Sequence, residues 1–336
     1  MNLFSMESIA DGILRRRHDR VARIVFTQKP VRGSWGGSNQ FVVQMAELLN
    51  RRGFEVGYDL DRGADLIVIV DPRKAANKLI AFEEIRAYKS VNPNVRILHR
   101  VNECDQRKGT DFIDDLLAQI NELADFTVFI SQWLRDHHAA NWFELSRPNS
   151  VIYNGADPAI FYPPRHRRED DGILRLVTHH WAASYSKGYD VYEKLDGLIA
   201  GGEVRDVELR VIGRWPEEIR WRAARTFSPM QGRPLADKLR ECDAYITASR
   251  WEPCGMHQVE GIQCGLPLIY HQDGGGIVEV GRQCGVGLNG DLAGAIEEMR
   301  CHYDAYRQKA MGLDLAGDKM CMDYAAIIRR LLFAEA

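Results

Sequence analysis

Strand-length apolar segments alternate with helix-period segments along this chain, stop at a proline- and charge-rich stretch near its middle, and then alternate again. No other feature restricts the fold as strongly. A strand, a helix and a further strand close most readily as a right-handed crossover between parallel strands. Two such runs in series therefore imply an α/β protein with two parallel sheets. In the first run, strands are expected at 21–27, 54–60, 66–70, 95–101, 126–130 and 151–153. Phe41, Met45, Leu48 and Leu49 recur at helical spacing after a glycine-rich turn at 33–38, and 112–123 is also helical by period. Between 154 and 171, Pro158, Pro163 and Pro164 stand among Arg165, Arg167, Arg168, Asp170 and Asp171, which reads as an interdomain linker. The second run places strands at 174–177, 208–212, 244–247 and 268–270, a helix at 191–199, and a last amphipathic helix at 319–333. The expected architecture is two Rossmann-like domains across a cleft, at 1–157 and 158–315, with 316–336 packing back toward the first.

Bulk properties narrow the function. A length of 336 residues favours two cores over one. The formal charge of −3 argues against a protein that coats nucleic acid, since there is no excess of cations to neutralise phosphates. The seven cysteines form no C-x-x-C pair and, with no signal peptide, suggest reduced thiols in a cytoplasmic protein. The adjacent pairs His137-His138 and His179-His180 point to opposite faces if they lie on strands, so no metal-ligand spacing is evident. No apolar run approaches the roughly 20 residues a bilayer span requires.

The richest local pattern is Trp251-Glu252-Pro253-Cys254-Gly255-Met256-His257-Gln258-Val259-Glu260, followed by Gly265-Leu266-Pro267. It lies between two strands, so its helix should begin at the carboxyl edge of a sheet, with free N–H groups and a partial positive charge toward the cleft. Glu252 belongs to the turn, and Glu260 is expected about two turns into the helix. Such a site suits an anionic, hydroxyl-rich ligand. Two solvated glutamates beside a turn are the plain alternative.

This segment resembles the E-x7-E motif of retaining glycosyltransferases with the two-domain GT-B fold, in the large family four that includes sucrose synthases and phosphatidylinositol mannosyltransferases. Other matches follow in order: Gly36-Gly37-Ser38 with the family's glycine loop, 151–157 with its V-I-P-N-G-V-D entry to the linker, Ser186-Lys187-Gly188 with its K-G lysine, Val211-Ile212-Gly213 with its I-V-G strand end, and Gly275-Gly276-Ile277-Val278-Glu279 with G-G-I-P-E. The resemblance implies transfer of a hexosyl unit, with retention, from a nucleoside-diphosphate sugar to a glycan, lipid-linked or small-molecule acceptor, without metal or other cofactor. It assigns Lys187 to the diphosphate, Glu252 with Cys254, Gly255 and Met256 to the donor sugar, Glu260 to the ribose, and Gly36 and Gly37 to close approach of the first loop.

The chain departs from the family where an arginine usually stands five or six positions before the lysine; Trp181 and Ala182 occupy those places. Arg214, at a strand end, is the candidate substitute, or else a surface arginine. On the acceptor side the candidates are His99, Asn102 and Glu103; His99 is equally a strand histidine in the core, and the other two belong to a polar loop. Leu3, Met6, Ile9, Ala10, Ile13 and Leu14 share a helical face ahead of Arg15, Arg16, Arg17, Arg20 and Arg23. That segment either rests on an anionic inner membrane face or packs on its own domain, and the latter is preferred. Rival readings are a nucleotide-sugar 2-epimerase on the same scaffold, a catalytically weak sugar-nucleotide-binding protein, and a dinucleotide oxidoreductase, the last opposed by the lack of G-x-G-x-x-G after the first strand.

Overall fold

Each expected strand forms, and each carries its crossover to a parallel neighbour. The computed structural model describes residues 16–17, 20–31, 33, 36–71, 73, 77–166 and 169–333. A two-strand antiparallel hairpin, β1 (Arg16–Arg17) and β2 (Arg20–Val21), leads into the first sheet. The first domain then runs β3 (Arg23–Phe26), α1 (Gly37–Arg51), β4 (Glu55–Gly57), β5 (Leu66–Ile69), α2 (Phe82–Val91) and β6 (Arg96–Val101). It continues with α3 (Asp105–Lys108), α4 (Ile113–Asn121), β7 (Phe126–Phe129), α5 (Gln132–Ala139) and β8 (Asn149–Val151). The strand order is β4-β3-β5-β6-β7-β8, parallel throughout. All four residues of β3 and of β5 are buried, as expected of strands covered on both faces.

The second domain runs β9 (Leu174–His180), a 3-10 turn (Tyr185–Lys187), α6 (Tyr189–Ala200), β10 (Val207–Gly213), β11 (Arg225–Phe227), α7 (Gly232–Arg240) and β12 (Ala244–Thr247). Then come α8 (Met256–Gln263), β13 (Leu268–His271), α9 (Gly276–Cys284), β14 (Gly285–Leu288), α10 (Leu292–Cys301), α11 (Tyr303–Met311) and α12 (Gly317–Phe333). Its order, β11-β10-β9-β12-β13-β14, is parallel and is that of a dinucleotide-binding sheet. The order reverses between β9 and β12. The loops after those two strands, which hold Lys187 and Glu252, therefore open on the crevice at the carboxyl edge where ligands bind in such sheets.

The chain crosses between domains twice, and the crossings are hydrogen-bonded to each other. Ala156 N donates to Leu315 O at 3.0 Å, and Gly317 N donates to Ala156 O at 2.7 Å. A Cβ on Gly155 would strike the Ala316 backbone. The last helix, α12, packs on the first domain: Met320, Tyr324, Ile328 and Leu332 join Phe41, Met45 and Leu49 of α1 in one cluster, with the Phe41 and Tyr324 rings 4.8 Å apart.

Several elements differ from expectation. Strand β11 and helices α2, α5, α7, α10 and α11 are not among those expected; α2 buries only Phe82 and Ile85, whereas α10 buries Leu292, Ala295, Ile296 and Met299. His137 and His138 lie on α5 and not on a strand. The leading segment 1–15 lies outside the described residues. Arg20 and Arg23 are engaged within the first domain, Arg20 with Asp65 at 2.8 Å, and Arg23, which is buried, with Glu55 at 3.2 Å and Asp59 at 3.0 Å. Among the described residues no helix is long and apolar enough to cross a membrane.

Candidate functional site

A cavity of about 310 Å³ lies between the two carboxyl edges. From the first domain it is lined by Gly36, Gly37, Asn102, Glu103, Arg107 and their neighbours, and from the second by Lys187, Glu252, Cys254, Gly255, Met256 and Glu260. Ten of the twelve candidate residues therefore meet here although they come from four separate segments of the chain. The two exceptions are His99 and Arg214.

Lys187 closes the 3-10 turn after β9. Gly188 follows it in the left-handed region at φ 87°, where a Cβ would collide with Ala248. Glycine at this position lets the turn lie against the β12 strand end and directs the lysine into the cleft. Lys187 Nζ is 2.5 Å from Glu252 Oε2, and Arg107 Nη2 is 3.1 Å from the same oxygen. Arg107 Nη1 also donates to Ser186 Oγ at 3.1 Å. One carboxylate thus bridges a cation from each domain, with all three side chains 13% exposed. Burial by itself would raise the Glu252 carboxyl; the Lys187 and Arg107 charges outweigh it and hold the group well below the usual carboxylate range. Burial lowers the Lys187 ammonium, against the opposing pull of Glu252.

Beside this triad, α8 begins at Met256. Its N-cap, Gly255, supplies no side-chain cap, and its first turn holds no acid, so its N–H groups and partial positive charge are free toward the cavity. A Cβ on Gly255 would come within 2.6 Å of His257 Nδ1 and Gln258 Oε1. Glu260 is the fifth residue of this helix, a little over one turn in, because the helix starts later than the motif alone suggests. Its carboxylate is 2% exposed; one oxygen meets His179 Nε2 at 2.8 Å and the other accepts from Gln40 Nε2 of α1 at 3.2 Å. His180 and His257 also line the cavity. Burial holds both well below the ordinary histidine value, so they are neutral, polar walls. At the base, Arg100 Nη2 donates to Asn154 Oδ1 at 2.7 Å while Asn154 Nδ2 donates to Cys254 O at 2.6 Å, which ties the interdomain crossing to the turn that carries Glu252.

His99 is a core residue. It is fully buried on β6, accepts from Asn121 Nδ2 at 3.0 Å, and burial lowers it to about 3. The alternation of β6 turns Arg100, and not His99, toward the cleft. Arg214 is exposed and donates to Trp181 O at 3.1 Å, outside the cavity lining. Asn102 and Glu103 do reach the cavity; Glu103 pairs with Lys108 at 2.8 Å, and burial raises its carboxyl. Sequence reasoning missed Arg107, His179 and Gln40. The one available signal for Arg107 was its place in the polar loop after a strand. Among the described residues a single grouping has metal-ligand spacing, Asp114, His137 and His138. His137 Nε2 faces Asp114 at 3.0 Å, while His138 Nε2 donates to Glu103 O at 3.0 Å and its Nδ1 accepts from Trp142 at 2.9 Å. Both nitrogens of His138 are thus already used.

No protein-family model matches the chain, and no curated protein sequence matches it. Solved structures do. A sucrose-phosphate synthase from Thermosynechococcus elongatus aligns with 94% of this chain and 100% of its own, at 16% identity and TM-score 0.68. HepE of Anabaena, in complex with UDP and glucose, aligns over 91% and 99% at 13% identity and TM-score 0.67. WaaG, a glycosyltransferase involved in lipopolysaccharide biosynthesis, aligns over 91% and 99% at 14% identity and TM-score 0.65. The likeness covers more than nine-tenths of the chain and fits its two parallel six-stranded sheets: the chain has the GT-B fold.

Proposed function

We propose that the chain is a metal-independent, retaining glycosyltransferase that moves a hexosyl unit from a nucleoside-diphosphate sugar to a hydroxyl of a glycan, lipid-linked or small-molecule acceptor. The observation that carries this reading is the Glu252 carboxylate held between Lys187 and Arg107 beside the uncapped N-terminus of α8. Two cations and a helix dipole converge where a diphosphate would lie, and an acid stands next to them to receive sugar hydroxyls.

In the reaction the bond from the anomeric carbon to the diphosphate oxygen breaks and its electrons leave with the diphosphate. Lys187 and Arg107 neutralise that growing charge, which is the largest contribution a site of this kind makes. The acceptor oxygen attacks from the face that the leaving group vacates, and its proton passes to a departing phosphate oxygen. Glu252, freed from part of its ion pairing, accepts from the sugar hydroxyls and stabilises positive charge at the anomeric carbon. Glu260 receives the ribose hydroxyls. Arg107 answers the missing family arginine: Trp181 and Ala182 leave the second cation unsupplied from the donor domain, and the acceptor domain supplies it. The cation pair is then complete only when the domains are closed, which favours transfer over hydrolysis. The hinge is the laced pair of crossings at Ala156 and Leu315–Gly317.

The test is to incubate the protein with a panel of UDP-, GDP- and ADP-sugars, with and without hydroxyl acceptors, and to follow release of nucleoside diphosphate. Lys187→Ala should lower turnover by about 10²–10³-fold, the cost of losing one donor to the developing charge. Turnover of that variant near wild type would remove the assignment. Formation of an epimer or free sugar from donor alone, with no acceptor product, would favour the epimerase instead.

A further inference from the structure

A second cavity, about 480 Å³, opens behind the ribbon that carries Glu252. Its walls come from both domains: Gln106 of α3 and Gln132 and Trp133 of α5 on one side, Trp251, Gln272 and Asp273 on the other. The ribbon is thin. Trp251 N donates to Asp273 O at 2.7 Å, Glu252 N to Gly274 O at 3.2 Å, and Gly276 N to Glu252 O at 2.9 Å. Consecutive residues divide between the two cavities, Gln106 and Trp251 lining this one while Arg107 and Glu252 line the main cleft.

Two features set this groove apart from an ordinary gap between domains. Trp251 sits at φ 52°, one of only two non-glycine residues in the left-handed region among those described. For a bulky side chain that conformation is strained, and a glycine would adopt it freely. The strain is kept where it sets an indole in one cavity and, one residue on, a carboxylate in the other. Trp133 is the second aromatic wall, and its plane is fixed by stacking on His137, with ring centroids 5.7 Å apart and an interplanar angle of 27°.

Half-buried indoles with amide side chains between them match one ligand chemistry well. A pyranose ring offers a C–H face to an electron-rich aromatic surface and hydroxyls, each donor and acceptor, to amides that are also both. A bare hydrocarbon would offer no partner to Gln106 and Gln272, while Gln132 Nε2 already donates to Asp136 Oδ1. An anion would meet three carboxylates, Asp136, Asp273 and Glu279, against one cation, Arg282. The volume falls in the range of ligand sites, roughly 300–1,000 Å³.

We propose that this groove is a subsite for a neutral sugar ring of the acceptor, so that the acceptor is a saccharide or glycoside longer than one unit. The inference rests on the glycosyltransferase reading of the main cleft. Because the walls belong to different domains, a bound ring bridges them and favours the closed state.

The test uses protein labelled with 5-fluorotryptophan and fluorine NMR, with signals assigned from single Trp→Phe variants. UDP is added first, then cellobiose, maltose or lactose. The Trp133 and Trp251 signals are expected to move with at least one disaccharide, and Trp181, which lines the main cleft, with UDP. Trp133→Ala should weaken disaccharide binding at least tenfold. Gln106→Ala, an exposed position, should weaken it several-fold with no risk to folding. If UDP moves Trp181 but no disaccharide moves Trp133 or Trp251, or if both variants bind as wild type does, the groove proposal is overturned while the donor reading stands. If disaccharides move the groove signals but UDP binds nowhere, the groove holds sugar and the glycosyltransferase reading fails.

Discussion

Glu252→Gln is the most informative single change, because it keeps shape and removes one charge. The carboxylate lies 2.5 Å from Lys187 Nζ and 3.1 Å from Arg107 Nη2, and is 13% exposed. At an effective dielectric constant near 20, unit charges at these distances attract by about 5–7 kcal/mol. Taking away the anion of a buried pair costs about 3–5 kcal/mol, since the partner charges stay buried without compensation. With Lys187 and Arg107 both left uncompensated, a cost of about 3 kcal/mol, the lower end of that range, is expected. For a domain of this size that is a fall in Tm of about 6–12 °C. The pH dependence has a definite sign. Burial already lowers the folded Lys187 below its unfolded value of 10.5, and loss of Glu252 lowers it further. At low pH both states are protonated and the penalty is complete; above the folded value the native protein gives up the proton that the unfolded chain keeps, and stability recovers as pH rises. The variant should therefore lose more Tm at pH 6 than at pH 9. UDP should partly rescue it, because the diphosphate returns negative charge to the two cations, whereas in the wild type it must first displace Glu252. Thermal melts at the two pH values, with and without saturating UDP, measure all of this. A variant melting within about 2 °C of wild type, or gaining less from UDP than wild type does, would refute the shared-cation argument.

Arg107→Ala should lower sugar transfer by about 10²-fold with little change in donor KM, and Arg107→Lys should restore part of it, as expected for stabilisation of developing charge; an unaltered kcat would return Arg107 to a purely structural contact. Glu260→Gln should weaken nucleotide binding by roughly tenfold, the loss of a charge-assisted hydrogen bond; equal affinities by calorimetry would end its ribose role. Acid should destabilise the protein well before its carboxylates protonate. Burial depresses His99 to about 3 and His138 to about 4, so below their unfolded value near 6.5 the unfolded chain takes up protons that the folded one refuses. Each histidine removes about 1.4 kcal/mol per pH unit between pH 6 and its folded value, and a urea midpoint unchanged from pH 7 to pH 5 would show that neither is buried neutral.

Where segments are buried on both faces, sequence and structure agree closely. The 66–70 and 244–247 runs become β5 and β12 almost residue for residue, because strands sealed in a parallel sheet must be continuously apolar. Among the helices that escaped notice, α2 and α11 have a polar outer face and only two buried side chains each. Within the site, Lys187-Gly188 and the Glu252-to-Glu260 turn were visible because each is a local device: a left-handed glycine beside a lysine, and a proline–glycine turn opening a helix. Of the two places open to His99 in the sequence, the core is the one it takes, because a one-residue step along β6 reverses which side chain faces the cleft and that register is set by neighbouring strands.

By itself the sequence determined that there are two parallel sheets and which loops leave their carboxyl edges, since hydrophobic period and turn chemistry act over a few residues. Only the tertiary structure decided which of those loops meet. Arg107 reaches Glu252 across 145 residues, and Gln40 reaches Glu260 across 220. Contacts of that span depend on how the hinge folds one sheet edge against the other, and they impose no pattern on the intervening chain.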